Sequence, residues 1–110
     1  MVQVSIGDIR YLLVNRLGFV EYVKPNGEVC WRQTLPKYSS VIHVCSGLRS
    51  DNTSLSFPTV GIRVYLLDCF DSPKLGVRRV RRTPHYLSNI WKTINELYKI
   101  VLEQERSKKF

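Results

Sequence analysis

The 110 residues are 44% hydrophobic and 24% charged, enough for one domain over residues 1–110 with its own core and too apolar for a disordered tail. Seventeen Lys and Arg against nine Asp and Glu give a net charge of +8. No apolar run approaches the ~20 residues of a membrane span, the opening residues lack the basic and apolar stretches of a secretory leader, and the dispersed Cys30, Cys45 and Cys69 suit a reducing compartment better than a disulfide framework.

In chain order, Ser5 is placed as a helix N-cap with Asp8 in the first turn. Ile6, Ile9, Leu13 and Leu17 then recur at helical spacing, and Gly18 supplies the stop, predicting a helix over residues 5–19. Residues 19–24 alternate and run into the Pro25-Asn26-Gly27 turn. Residues 28–35 return as a second strand, with Val29, Trp31 and Leu35 on one face and Pro36 closing it. A short β-branched third strand covers residues 41–45, and the polar residues 46–56 read as an exposed loop. After Phe57-Pro58, residues 59–68 form the fourth strand, ended by Asp71-Ser72-Pro73.

Residues 74–82 read as a basic connector. Thr83 as N-cap and Pro84 at the first helical position then open a long helix. Its apolar stripe is Leu87, Ile90, Trp91, Ile94, Leu97, Tyr98 and Val101, and residues 107–110 are read as a frayed basic tail. The expected fold is α+β: an antiparallel sheet of about four strands covered by an N-terminal helix and a long C-terminal helix, in the order α-β-β-β-β-α.

Charge is unevenly spread. Residues 1–73 hold seven basic and six acidic side chains, a net of +1, whereas residues 74–110 hold ten and three, a net of +7. The densest run, Arg78, Arg79, Arg81 and Arg82, stands directly before Thr83. A helix N-terminus already carries about half a positive charge. Arginines crowded against it suit an anion that uses both guanidinium forks and free backbone N–H groups, with Lys74 and His85 as more distant contributors. The same run is also what a solvated basic loop looks like.

Little points to chemistry. His43 and Cys45 share a strand face, and Cys30, Cys69 or His85 are conceivable co-ligands. No CxxC or HxxxH spacing accompanies them, so spacing favours ordinary sheet residues over a zinc site and no metal or cofactor is expected. No phosphate-binding glycine loop, paired carboxylates or nucleophile–base signature is present, so the chain is not expected to be an enzyme. Of Trp31, Tyr38, Tyr65, Trp91 and Tyr98, core packing accounts for Trp31, Trp91 and Tyr98, which leaves little for an aromatic stacking platform.

Residues 8–19 resemble the opening helix of small tailed-phage tail-terminator, tail-completion (neck) and minor capsid proteins. Residues 57–64 look like the central strand that follows an exposed loop in those proteins, and residues 90–99 like their closing helix. The basic connector is longer and more basic than the family pattern. The resemblance implies a virion structural subunit that assembles as a homo-oligomeric ring, often a hexamer, between the tail tube and the connector. Its partners would be adjacent tail-tube or connector proteins, with sequence-independent contact to DNA, and it carries no catalytic residues. The alternative is an intracellular nucleic-acid-binding regulator using the arginine cluster on phosphates. A host-directed interaction module stands third.

Overall fold

A computed structural model describes residues 3–35, 39–55, 61–68 and 70–107. Pro36, Tyr38, residues 57–60, Cys69 and residues 108–110 lie outside the described residues. The fold is α+β: a five-stranded antiparallel sheet flanked by an N-terminal and a C-terminal helix. The strands are β1 (Val20–Val23), β2 (Glu28–Leu35), β3 (Ser40–Arg49), β4 (Ile62–Asp68) and β5 (Pro73–Val80), paired in chain order so that β1 and β5 are the edges.

The N-terminal helix starts as the sequence predicts. Ser5 is extended, and its Oγ accepts the Asp8 N–H at 3.3 Å. The α-helical part, α1, covers only Ile6–Arg10, and Tyr11–Arg16 continues in the wider π-helical form. Gly18 follows with φ 77°, the left-handed backbone that a C-terminal stop requires. Ile6, Ile9 and Leu13 point into the core. Arg10 grips Glu21 of β1 with two contacts of 2.7 and 3.1 Å, and the Trp31 indole donates to the same carboxylate at 2.9 Å.

The C-terminal helix, α2, runs Tyr86–Ser107. It begins two residues later than expected, because Thr83 and Pro84 form a turn in which the Thr83 carbonyl accepts the Tyr86 N–H at 3.1 Å. Ile90, Ile94, Leu97 and Val101 are buried against Val44, Ile62, Val64 and Leu66 in one continuous core that also holds Val29 and Trp31. Gln33 ties both helices to the sheet: its Nε2 donates to the Leu17 carbonyl at 2.6 Å, and its Oε1 accepts the Tyr98 hydroxyl. The Tyr86 hydroxyl accepts the Ser5 N–H at 3.3 Å, which joins the starts of the two helices.

Three expectations are corrected. The basic connector is a strand: Pro73–Val80 forms β5, pairing Val80, Arg79, Arg78 and Val77 with Ile62, Arg63, Val64 and Tyr65. The polar loop begins later, because β3 continues to Arg49. Ser46 is fully buried there, its hydroxyl donating to the Val29 carbonyl at 2.7 Å and accepting the Leu48 N–H at 3.0 Å, so a polar residue costs the strand no unsatisfied group. Trp91 is 41% exposed, at the border of the stripe, where with Tyr11, Leu12 and Leu87 it lines an apolar groove of about 420 Å³ between the helices.

Ile94→Ala should therefore destabilise by about 2–5 kcal/mol, the usual cost of an unfilled core position. Trp91→Ala should cost well under half of that, because much of the ring already faces water. Gly61→Ala should be severe: φ is 129° and an added methyl would collide with the Val80 carbonyl. Urea denaturation of the three variants, read as midpoint shifts at constant slope, checks the ranking.

Candidate functional site

Both helices share one core with Val29, Trp31, Ile42, Val44, Ile62, Val64, Leu66 and Val80. Side chains alternate along a strand, so the residues between these line the opposite face, on which no described helix packs. The pairing register arranges that face in rows. One row runs Tyr22, Cys30, Cys45, Arg63, Arg79, and the next runs Val20, Arg32, His43, Tyr65, Val77.

Three rings lie in contact across this open face. Tyr22 and His43 stack with centroids 5.2 Å apart and planes 20° from parallel, and His43 meets Tyr65 at 5.9 Å and 37°. The rings border a concavity of about 400 Å³, with Lys24 and Arg32 among its walls. Asp71, whose φ is 63°, brings its carboxylate to Arg32 at 3.0 Å. Arg79 is exposed beside Arg63 in the register. The arrangement offers π faces flanked by guanidinium and ammonium groups.

The row that holds Tyr22 also holds two sulfurs. Cys30 and Cys45 face each other across β2 and β3, both free and fully buried. Glu28, also buried, accepts the Gly47 N–H at 2.8 Å, pairs with Arg63, and holds Lys24 at 3.6 Å. The interaction with Cys45, reinforced by burial, pushes the Cys30 thiol far above its ordinary value. The hydrogen bond from Cys30 pulls Cys45 downward against the opposing effect of burial, with help from Lys24 and Arg63. His43 is held below the usual histidine range because burial disfavours imidazolium; Asp71 partly offsets this and Arg63 adds to it.

The residues that the sequence singles out as an anion site are dispersed. Strand alternation sends Arg79 to the open face and Arg78 to the opposite one, next to the core residue Val80. Arg82 donates to Ser54 at 3.1 Å, Lys74 donates to Ser40 at 3.0 Å at the far end of β5, and Arg81 and His85 are exposed. Thr83 serves the turn before α2 through its carbonyl. Of this group only Arg79 joins the open-face array. Tyr22 and Arg63, which no sequence motif marks, enter the site through register alone, and Tyr65 lies on the sheet surface rather than in the core.

Among the described residues no helix is long and apolar enough to cross a membrane. No protein family, curated protein or solved structure matches this chain.

The depressed His43 affinity carries a sign. The unfolded chain takes up the proton first as pH falls, so the contribution of neutral His43 to stability is present above about pH 6.5 and is lost as the pH drops toward the folded-state value. The urea midpoint should decline from about pH 7 to 5, and His43→Phe should flatten that decline. Glu28→Ala should cost roughly 3 kcal/mol, since it strands the Arg63 charge on a partly buried surface.

Proposed function

We propose that the open face of the sheet is a binding platform for single-stranded nucleic acid. The observation that carries this reading is the Tyr22, His43, Tyr65 ring cluster, bordered by Lys24, Arg32, Arg63 and Arg79. Bases present π faces whatever their sequence, and aromatic side chains on a sheet surface accept them by stacking. The guanidinium groups meet phosphates and add cation–π contacts. A net charge of +8 steers a polyanion toward the protein. This version of the nucleic-acid reading moves the contact from the arginine run before α2 to the sheet, with Arg79 as the shared residue. His43, kept neutral by burial, serves as a flat ring rather than as a charge.

The ring-forming subunit of a phage neck or tail is a second reading, favoured by one feature. Both edge strands carry exposed apolar side chains, Val20 and Val23 on β1 and Leu75 and Val77 on β5. Head-to-tail pairing of β5 with the β1 of a second copy would cover them, and such heterologous contacts close into rings when the rotation permits. In that assembly the open face would line a surface of the ring and could still meet DNA.

Fluorescence anisotropy with labelled oligothymidylate and oligouridylate of about 12 nucleotides tests the first reading. Tyr22→Ala and Tyr65→Ala should each weaken binding by about 1–3 kcal/mol. Arg79→Ala should reduce the salt slope by about 0.7, the value for one phosphate contact on a single strand, while Arg78→Ala, on the other face, leaves it unchanged. Equal effects of Arg78 and Arg79, or no effect of the tyrosines, would overturn the platform. Light scattering separates the second reading: a stable ring mass supports it, and a monomer at the same concentration removes it.

A further inference from the structure

Two buried cysteines in the row next to His43 and Tyr65 supply donors that a stacking platform does not need. A sulfur of Cys30, a sulfur of Cys45 and a ring nitrogen of His43 all lie within 4.8 Å of one another. The pairing register produces this arrangement. Cys30 stands directly opposite Cys45, and His43 lies two residues before Cys45 on the same strand and therefore on the same face. Neighbouring strands are about 4.8 Å apart, so three such side chains converge without any change of backbone.

Several observations point to a ligand. The sulfurs are fully buried, away from the solvent that would otherwise oxidise them. Nε2 of His43 is buried and has no hydrogen-bond partner among the described residues, an unusual state for an imidazole that has two polar ring positions to satisfy. Ligands around zinc at about 2.3 Å for sulfur and 2.0 Å for nitrogen stand about 3.5–4 Å from each other. A contraction of this size from the present spacing is within the reach of side-chain rotation.

We propose that Cys30, Cys45 and His43 form a binding site for a thiophilic d¹⁰ cation, zinc(II) or copper(I). Thiolate and imidazole together select such ions over magnesium, calcium or manganese, which take oxygen. Both thiols lose their protons to solvent on binding, and no electron is transferred. Copper(I) is satisfied by the three donors alone. Zinc(II) leaves one position for a fourth ligand such as water. The positive charges of Lys24 and Arg63 favour the ion of lower charge, so copper(I) is the expected winner of a direct competition. This inference does not rest on the nucleic-acid reading, because its test reads metal binding directly; His43 is the residue the two share.

The test begins with full-length protein reduced and freed of metal under anaerobic conditions, titrated with zinc(II) or copper(I) against chelators of known affinity. One ion per chain with release of close to two protons is expected. Cobalt(II), as a probe of the zinc arm, should give a thiolate-to-metal charge-transfer band together with visible bands of four-coordinate intensity. Cys30→Ser and Cys45→Ser should each lower affinity by more than about 100-fold, and His43→Phe by at least about 10-fold. His43→Phe keeps a ring between Tyr22 and Tyr65, so its circular dichroism should match the parent and any loss of affinity reflects the missing nitrogen. Preference for either ion supports the site and identifies which charge it accepts. Binding of less than a tenth of an equivalent, undiminished affinity in all three variants, or a Cys30–Cys45 disulfide persisting in the reduced preparation would overturn it. Loss of oligonucleotide binding with intact metal binding, or the reverse, shows which of the two readings has failed.

Discussion

One buried carboxylate organises the open half of this protein. Glu28 sits at the irregularity that β2 makes before Cys30, and it gathers the Gly47 N–H from β3, the Arg63 guanidinium from β4 and, more loosely, the Lys24 ammonium from the preceding turn. An unpaired charge in that position would cost several kcal/mol. The strands are therefore constrained to the register that brings these partners within reach. That same register places Cys30 opposite Cys45 and brings His43 between Tyr22 and Tyr65. The ion pair also holds Arg63, the neighbour of Cys45 in the register, with its side chain still partly exposed.

The two faces solve the burial problem differently. On the helix side, Ile90, Ile94 and Leu97 fill the space above Val44, Ile62 and Val64, and polar anchors sit at the margin, where Glu21 joins Arg10 to Trp31, Gln33 bridges both helices and Tyr86 meets Ser5. On the open side no described helix supplies the cover. Long amphipathic and aromatic side chains do so instead, each presenting an apolar body to the sheet and a polar tip to solvent. A surface built this way is rich in π faces and cations for reasons of burial alone. It is also the face on which both proposed activities are placed.

Elements whose signals are local were legible in the sequence. The Ser5 cap, the Gly18 stop, the Pro25-Asn26-Gly27 hairpin, β2 and the buried stripe of α2 each follow from neighbouring residues. β5 was hidden because its arginines and Gly76 mask an alternation of only a few apolar residues, and as an edge strand it has little burial to impose a pattern. The local signal for β3 stops at Cys45 because Ser46-Gly47 has turn chemistry, and the backbone bonds that satisfy Ser46 are invisible in sequence. Trp91 fits helical spacing but falls on the border of the buried sector, which is a matter of a few tens of degrees around α2. The candidate site was the least legible part. Ligand spacing along the chain says nothing when the donors come from different strands, and the arginine run looked like one patch until strand alternation divided it.

The two proposed activities of the open face are physically linked through His43. A cation held by Cys30, Cys45 and His43 would fix the imidazole and bar its protonation, leaving a rigid ring between Tyr22 and Tyr65 on which a base could stack with less ordering to be done. The charge effect depends on the ion: replacing two thiol protons by zinc(II) leaves the local charge unchanged, whereas copper(I) lowers it by one unit. Copper(I) would then weaken phosphate contacts made by Lys24 and Arg63, and zinc(II) would not. Because linkage is reciprocal, a phosphate drawing Lys24 and Arg63 away from the sulfurs would in turn reduce the affinity of the site for copper(I). That coupling depends on which cation occupies the site, so the metal chemistry and the recognition on the open face are not independent properties.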